Sequence, residues 1–135
     1  AGKRADLEFA AELGDEPDPA WATDIDQVVF GGSLAMAELA FFHRPSQTAI
    51  IGDLIQRHPE SEMSGWKGML MKWDGLVGER GSTPREWRAS FLRRDPARAA
   101  RDRVLAWQAE RLLIAHGKCA QAGATPIIAA ALSWL

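Results

Sequence analysis

The 135-residue sequence has one cysteine, no tyrosine, and no apolar run near the roughly 20 residues needed to cross a bilayer. A lone cysteine cannot close an internal disulfide, so a disulfide-stapled scaffold is excluded and a reducing, cytoplasmic setting is the expectation. The longest apolar stretch, residues 127–135, is short and rich in alanine, so neither a spanning helix nor a membrane partner is expected. The first residues, Ala1-Gly2-Lys3-Arg4-Ala5-Asp6, carry no initiator methionine and no apolar signal core, and the chain is therefore expected to begin inside a longer protein. What is present, 47% hydrophobic and 25% charged residues with a net charge of -2, suits one globular domain.

Charge is unevenly placed. Residues 1–26 hold Asp6, Glu8, Glu12, Asp15, Glu16, Asp18, Asp24 and Asp26 against Lys3 and Arg4, a local balance of -6. Residues 80–103 reverse it, with eight arginines against Glu86, Asp95 and Asp102, or +5. Arginine-rich helices can neutralise phosphates, which makes nucleic acid one candidate partner. These arginines fall between apolar helical positions, however, with acids within a turn of them. A solvated face is the simpler reading and outweighs nucleic-acid binding.

The two prolines and three acids of residues 15–19 mark an extended surface loop, and the organisation reads as an acidic N-terminal segment and loop over 1–24 followed by one domain over 25–135. Residues 25–30, 34–42 and 48–52 read as three strands of an antiparallel meander, with turns at 31–33 and 43–47. Thr48-Ala49-Ile50-Ile51 hardly alternates, as suits a strand inside the sheet. Helices follow. Trp66, Met69, Leu70 and Trp73 recur at helical spacing over 65–76, Thr83-Pro84-Arg85-Glu86 carries a cap, proline and acid signature, and Ala97, Ala100, Val104 and Trp107 repeat every three or four residues after an expected Asp95 cap. Residues 112–115 then form a short apolar strand, expected to be buried, and Thr125-Pro126 launches a last helix through Leu135. The fold class is thus α/β, a strand meander followed by helices and a helix-strand-helix unit.

Two polar residues directly follow apolar strands: Asp53 after 48–52 and His116 after 112–115. In open α/β sheets, ligands sit beyond the carboxyl ends of strands, where the rigid ladder stops and side chains converge. Gly52 and Gly117 allow backbone to crowd close to both residues. A carboxylate and an imidazole suit zinc, manganese or iron, and the same pair could accept and donate protons. The bland alternative is an aspartate that forms a turn and a histidine that is structural. His43, in a turn, and His58, before Pro59, are expected in solvent rather than as a third ligand. Cys119 could join His116 on a soft metal but reads more simply as a small buried thiol. Glu38 is expected to face solvent through strand alternation. Trp66 and Trp73 with Met63, Met69 and Met71 could line a pocket or a partner surface, with core packing the default for such stripes.

The run 41–55, with Gly81-Ser82-Thr83-Pro84-Arg85-Glu86-Trp87 and Leu113-Ile114-Ala115-His116-Gly117, resembles a bacterial and plant domain family of unknown function within the metallo-β-lactamase-like metallo-hydrolase/oxidoreductase superfamily. The resemblance covers nearly the whole chain. It implies that the chain is the C-terminal part of an αββα sandwich whose first half precedes Ala1. It implies further that Asp53 is the aspartate bridging two metals at a strand end, and that His116 is the last metal-binding histidine. The superfamily's His-x-His-x-Asp-His motif is not in this chain, and Val28, Val29 and Phe30 stand where a histidine is expected before the Gly-Ser turn.

The expected function is accordingly that of a metal-dependent hydrolase of unknown small-molecule substrate, using zinc or another divalent metal in a longer form. This chain by itself would then be an inactive fragment that binds no metal tightly, since a catalytic zinc takes three protein ligands and Asp53 and His116 make two. A second possibility is a non-catalytic descendant of the fold that binds protein or small molecules; a third is nucleic-acid binding through the arginine helices. Without the preceding half, exposed apolar surface should drive self-association.

Overall fold

The computed structural model describes residues 12–35, 37–62 and 65–135. Four strands form one mixed sheet in the order β1 (Ile25–Phe30), β2 (Glu38–His43), β3 (Thr48–Arg57), β4 (Arg111–Gly117). β1, β2 and β3 make the expected antiparallel meander, and β4 returns parallel to β3 after a crossover. That crossover contains a 3-10 turn (Glu60–Glu62) and the helices α1 (Gly65–Trp73), α2 (Arg85–Ser90) and α3 (Arg94–Ala106); α4 (Ala124–Ala131) follows β4.

Register explains the two faces. Val28, Ala40, Ile51 and Ile114 stand opposite one another across all four strands, with Phe42, Ala49 and Leu112 in a parallel row. Both rows belong to the core, which α3 and α4 close with Ala97, Ala100, Val104, Ile128 and Leu132. Trp107 stacks on Phe42 at 5.4 Å. The adjacent row, Gln27, Phe41, Ile50 and Leu113, lies on the other face. At β1 that face is covered, because Gln27 donates to the carbonyls of Gly14 and Glu16 and accepts from Trp21. At β3 and β4, Ile50 and Leu113 are exposed.

Several local expectations need correction. The second strand starts at Glu38, not residue 34, and the third continues through Arg57, so Asp53 lies within it. The fourth runs to Gly117 as an edge strand in which only Leu112 is buried. Neither threonine caps its helix. Thr83 Oγ1 accepts from Trp134 Nε1 and Thr125 Oγ1 donates to the Ala109 carbonyl, while Pro84 and Gly123 occupy the N-cap positions. Asp95 sits in the first turn of α3 behind an Arg93 N-cap. α1 ends at Trp73 and α4 at Ala131, short of residues 76 and 135.

The apolar stripe of α1 is not core. Trp66, Met69, Leu70 and Trp73 are all exposed, the two tryptophans by 67% and 70%. Met63 lies outside the described residues. Spacing reveals that a helix has an apolar face; it does not supply a neighbour to bury that face.

Candidate functional site at the β3–β4 rim

β3 and β4 pair regularly from Thr48↔Arg111 to Ile51↔Ile114, and pairing resumes at Gln56↔His116. Between those points Gly52, Asp53, Leu54 and Ile55 oppose the single residue Ala115. A strand with surplus residues must bulge, which disrupts the ladder and re-aims side chains. Leu54 and Ile55, adjacent in sequence, are both fully buried, so strict alternation has failed. Beyond the bulge β3 acquires a new neighbour, with Gln56 exchanging both backbone hydrogen bonds with Ser82.

This kink brings the two sequence-predicted residues together. His116 Nε2 lies 2.9 Å from Asp53 Oδ1, and both side chains are about half exposed. The imidazole donates through Nε2–H to the carboxylate, an arrangement that fixes the tautomer and leaves Nδ1 with a lone pair. Gly117 permits the adjacent strand approach: it has φ 100°, and a Cβ there would lie 2.1 Å from the Arg57 carbonyl oxygen. Its role is to seat β4 against β3.

Glu38 corrects the expectation of solvent exposure. Ala40 and Phe42, two and four residues on, are buried, so alternation assigns Glu38 to the inward set. Both its carboxyl oxygens are buried without a hydrogen-bond partner among the described residues. Its Oε1 closes on the bulge, 3.2 Å from where a Gly52 Cβ would stand. Burial foremost, and then the Asp53 charge, push the Glu38 carboxyl up to about 7, opposed by the amides of Gly52, Leu54 and Asp53, which approach the carboxyl without reaching ordinary hydrogen-bond geometry.

Among the described residues, none of the other candidates completes a three-ligand cluster with the pair. His43, the last residue of β2, bonds through Nδ1 to Ser46 Oγ at 2.7 Å, which in turn meets Thr48 Oγ1 at 2.7 Å; this is a local turn network. His58 is half-buried, not solvent-exposed, with Nε2 3.4 Å from Gln56 Oε1. Cys119 is half-buried in the turn after β4, its thiol 3.9 Å from the Ile114 carbonyl.

A cavity of about 620 Å³ opens beside the pair, lined by His58, Pro59, Ser61, Ala115, His116, Gly117 and Lys118. The sequence reading missed Lys118 and the residue that holds it, Arg57. The only signal for Lys118 was its place two residues after His116. Nothing distinguished Arg57 from a surface arginine, although it is 7% exposed.

As a metal centre the pair is compatible in chemistry but short in number. Two ligand atoms about 2.1 Å from a tetrahedral ion stand roughly 3.4 Å apart, so Asp53 and His116, now 2.9 Å apart, would need to open by about half an ångström. Yet among the described residues no three His, Cys, Asp or Glu side chains converge to hold an ion. These residues therefore do not make a catalytic metal site by themselves. Among the described residues, no helix is long and apolar enough to cross a membrane. Comparison with protein-family models, with curated proteins and with solved structures found no match.

Proposed function

We propose that the chain is the C-terminal half of a metallo-β-lactamase-like αββα domain, and that Asp53 and His116 are part of the metal centre of a hydrolase acting on a small-molecule substrate. The observation that carries this reading is the 2.9 Å approach of the two side chains, delivered by parallel neighbouring strands that are 63 positions apart at these residues. The exposed Ile50 and Leu113, opposite each other on the sheet face away from α3 and α4, offer the surface on which the second sheet of such a sandwich would pack. In this chain alone that face favours self-association. Two ligands do not generate a metal-bound nucleophile, so hydrolytic activity belongs to a form that contributes further ligands, with zinc or another divalent metal as cofactor.

Calorimetric zinc titration tests the reading. This chain should show no tight binding. A longer chain carrying the histidine-rich motif should bind stoichiometrically and lose affinity in Asp53→Ala and His116→Ala, by about 10-fold or more for each lost ligand. Tight binding that survives both substitutions overturns the assignment.

One observation favours the reading as a non-catalytic binding module: the exposed Trp66, Met69, Leu70 and Trp73 face of α1. If that is the function, a longer chain will bind no zinc, and substitutions along α1 will alter partner binding while Asp53→Ala does not.

A further inference from the structure

We propose that the cavity beside the Asp53–His116 pair binds an organic oxyanion, a phosphate or carboxylate group on a small molecule, and that Lys118 anchors it. The cavity, about 620 Å³, is larger than an inorganic ion needs and falls in the range of small-molecule sites. Its lining contains two imidazoles, one hydroxyl and one ammonium, from His58, His116, Ser61 and Lys118, and, among the described residues, no carboxylate. The neighbouring cavity that shares Pro59 and Lys118 is about 410 Å³ and includes Glu60 and Glu79 in its wall, so an anion is favoured on the histidine side.

Lys118 is placed by its backbone. Its N–H donates to the Arg57 carbonyl at 2.7 Å, and its own carbonyl accepts from Arg57 Nη1 at 2.6 Å. The same buried guanidinium donates through Nε to the Glu79 carbonyl at 2.8 Å, tying the end of β3, the 78–79 loop and the turn after β4 into one unit. Both main-chain groups of Lys118 are thus committed while its exposed ammonium has no acidic partner among the described residues. The fixed backbone sets where the side chain starts, and an ammonium with no acidic partner has no ion pair to break when it engages an anion.

Calling the anion a substrate rests on the reading of Asp53 and His116 as a reacting centre; the binding itself does not, and is tested on this chain without metal. Phenyl phosphate and benzoate are titrated separately while amide resonances are followed by NMR. Saturable shifts centred on His58, His116, Gly117 and Lys118 are expected for at least one probe, and whichever binds tighter assigns the phosphoryl or carboxylate class. Lys118→Met should weaken that probe about tenfold or more, as loss of a charge-assisted hydrogen bond requires, while Lys118→Arg retains most of the affinity. Saturation by neither probe, or equal affinity in wild type and Lys118→Met, overturns the proposal. Lys118→Met should leave zinc affinity of the longer chain unchanged, so the two readings fail separately.

Discussion

At the scale of single residues, Glu38 has the largest expected consequence. Its carboxyl is pushed up to about 7 from an ordinary 4.5, with burial the leading cause. Between those values the folded state keeps a proton that the unfolded chain has released, so folding stability falls as pH rises from about 4.5 to about 7 and levels off above. At about 1.4 kcal/mol per unit, discounted for partial contact with solvent, the contribution is roughly 2 kcal/mol. Glu38→Gln keeps the shape and removes the titration. Urea melts of this variant should match wild type near pH 4.5 and show greater stability by roughly 2 kcal/mol near pH 7.5; parallel pH profiles for the two proteins would exclude a buried, titrating Glu38. Asp53 and His116 were legible because each follows an apolar run and adjoins a glycine. Glu38 was less legible: the same alternation rule was available, but the Ala40 and Phe42 phase decides it, and that phase depends on which sheet face the helices cover. Arg57 and Lys118 were not legible, since a buried guanidinium is recognised by the carbonyls around it and these come from distant segments.

Elements were readable in proportion to how locally they are determined. β1 has the expected limits, and the meander order holds although only the 44–47 turn is short, β1 and β2 being joined by residues 31–37. β3 was truncated in the reading because Gly52-Asp53 looks like a strand end, whereas the backbone passes through a bulge and resumes on a new partner. The threonine caps illustrate a competing demand: Thr83 precedes α2 and Thr125 lies in the first turn of α4, but tertiary partners claim both hydroxyls. α1 separates pattern from packing most clearly. Met69 is 68% exposed and Leu54 fully buried, so in denaturant melts Met69→Gln should stay within about 0.5 kcal/mol of wild type. Leu54→Ala should cost about 2–5 kcal/mol through lost burial and a residual cavity. A comparable loss at Met69 would mean that α1 buries this face in solution.

For the molecule as a whole, the acidic and basic stretches seen in the sequence touch at one ion pair among the described residues. Asp15 pairs with Arg103, whose guanidinium also donates to the Gln27 carbonyl at 3.1 Å. Of the eight arginines in residues 80–103, six use their guanidinium on this chain. Arg85 lies over Trp73 and pairs with Asp74, while Arg88 bonds Thr83 and Ser82. Arg94 lies over Trp134, Arg98 bonds Asp95 and Leu135, and Arg101 pairs with Asp102. Burial pulls the Arg88 guanidinium below its ordinary value, against the opposing pull of Asp74. Exposed pairs of this kind add little stability individually, but each commits donors that phosphate would otherwise have to win. A net charge of -2 adds a weak long-range repulsion toward a polyanion. Mixed-sequence DNA and RNA oligonucleotides should therefore give no mobility shift even at low salt. A shift that collapses steeply between about 50 and 200 mM salt would mean that several of these guanidinium groups exchange their internal partners for phosphates, and would restore the arginine helices as the functional surface in place of the β3–β4 rim.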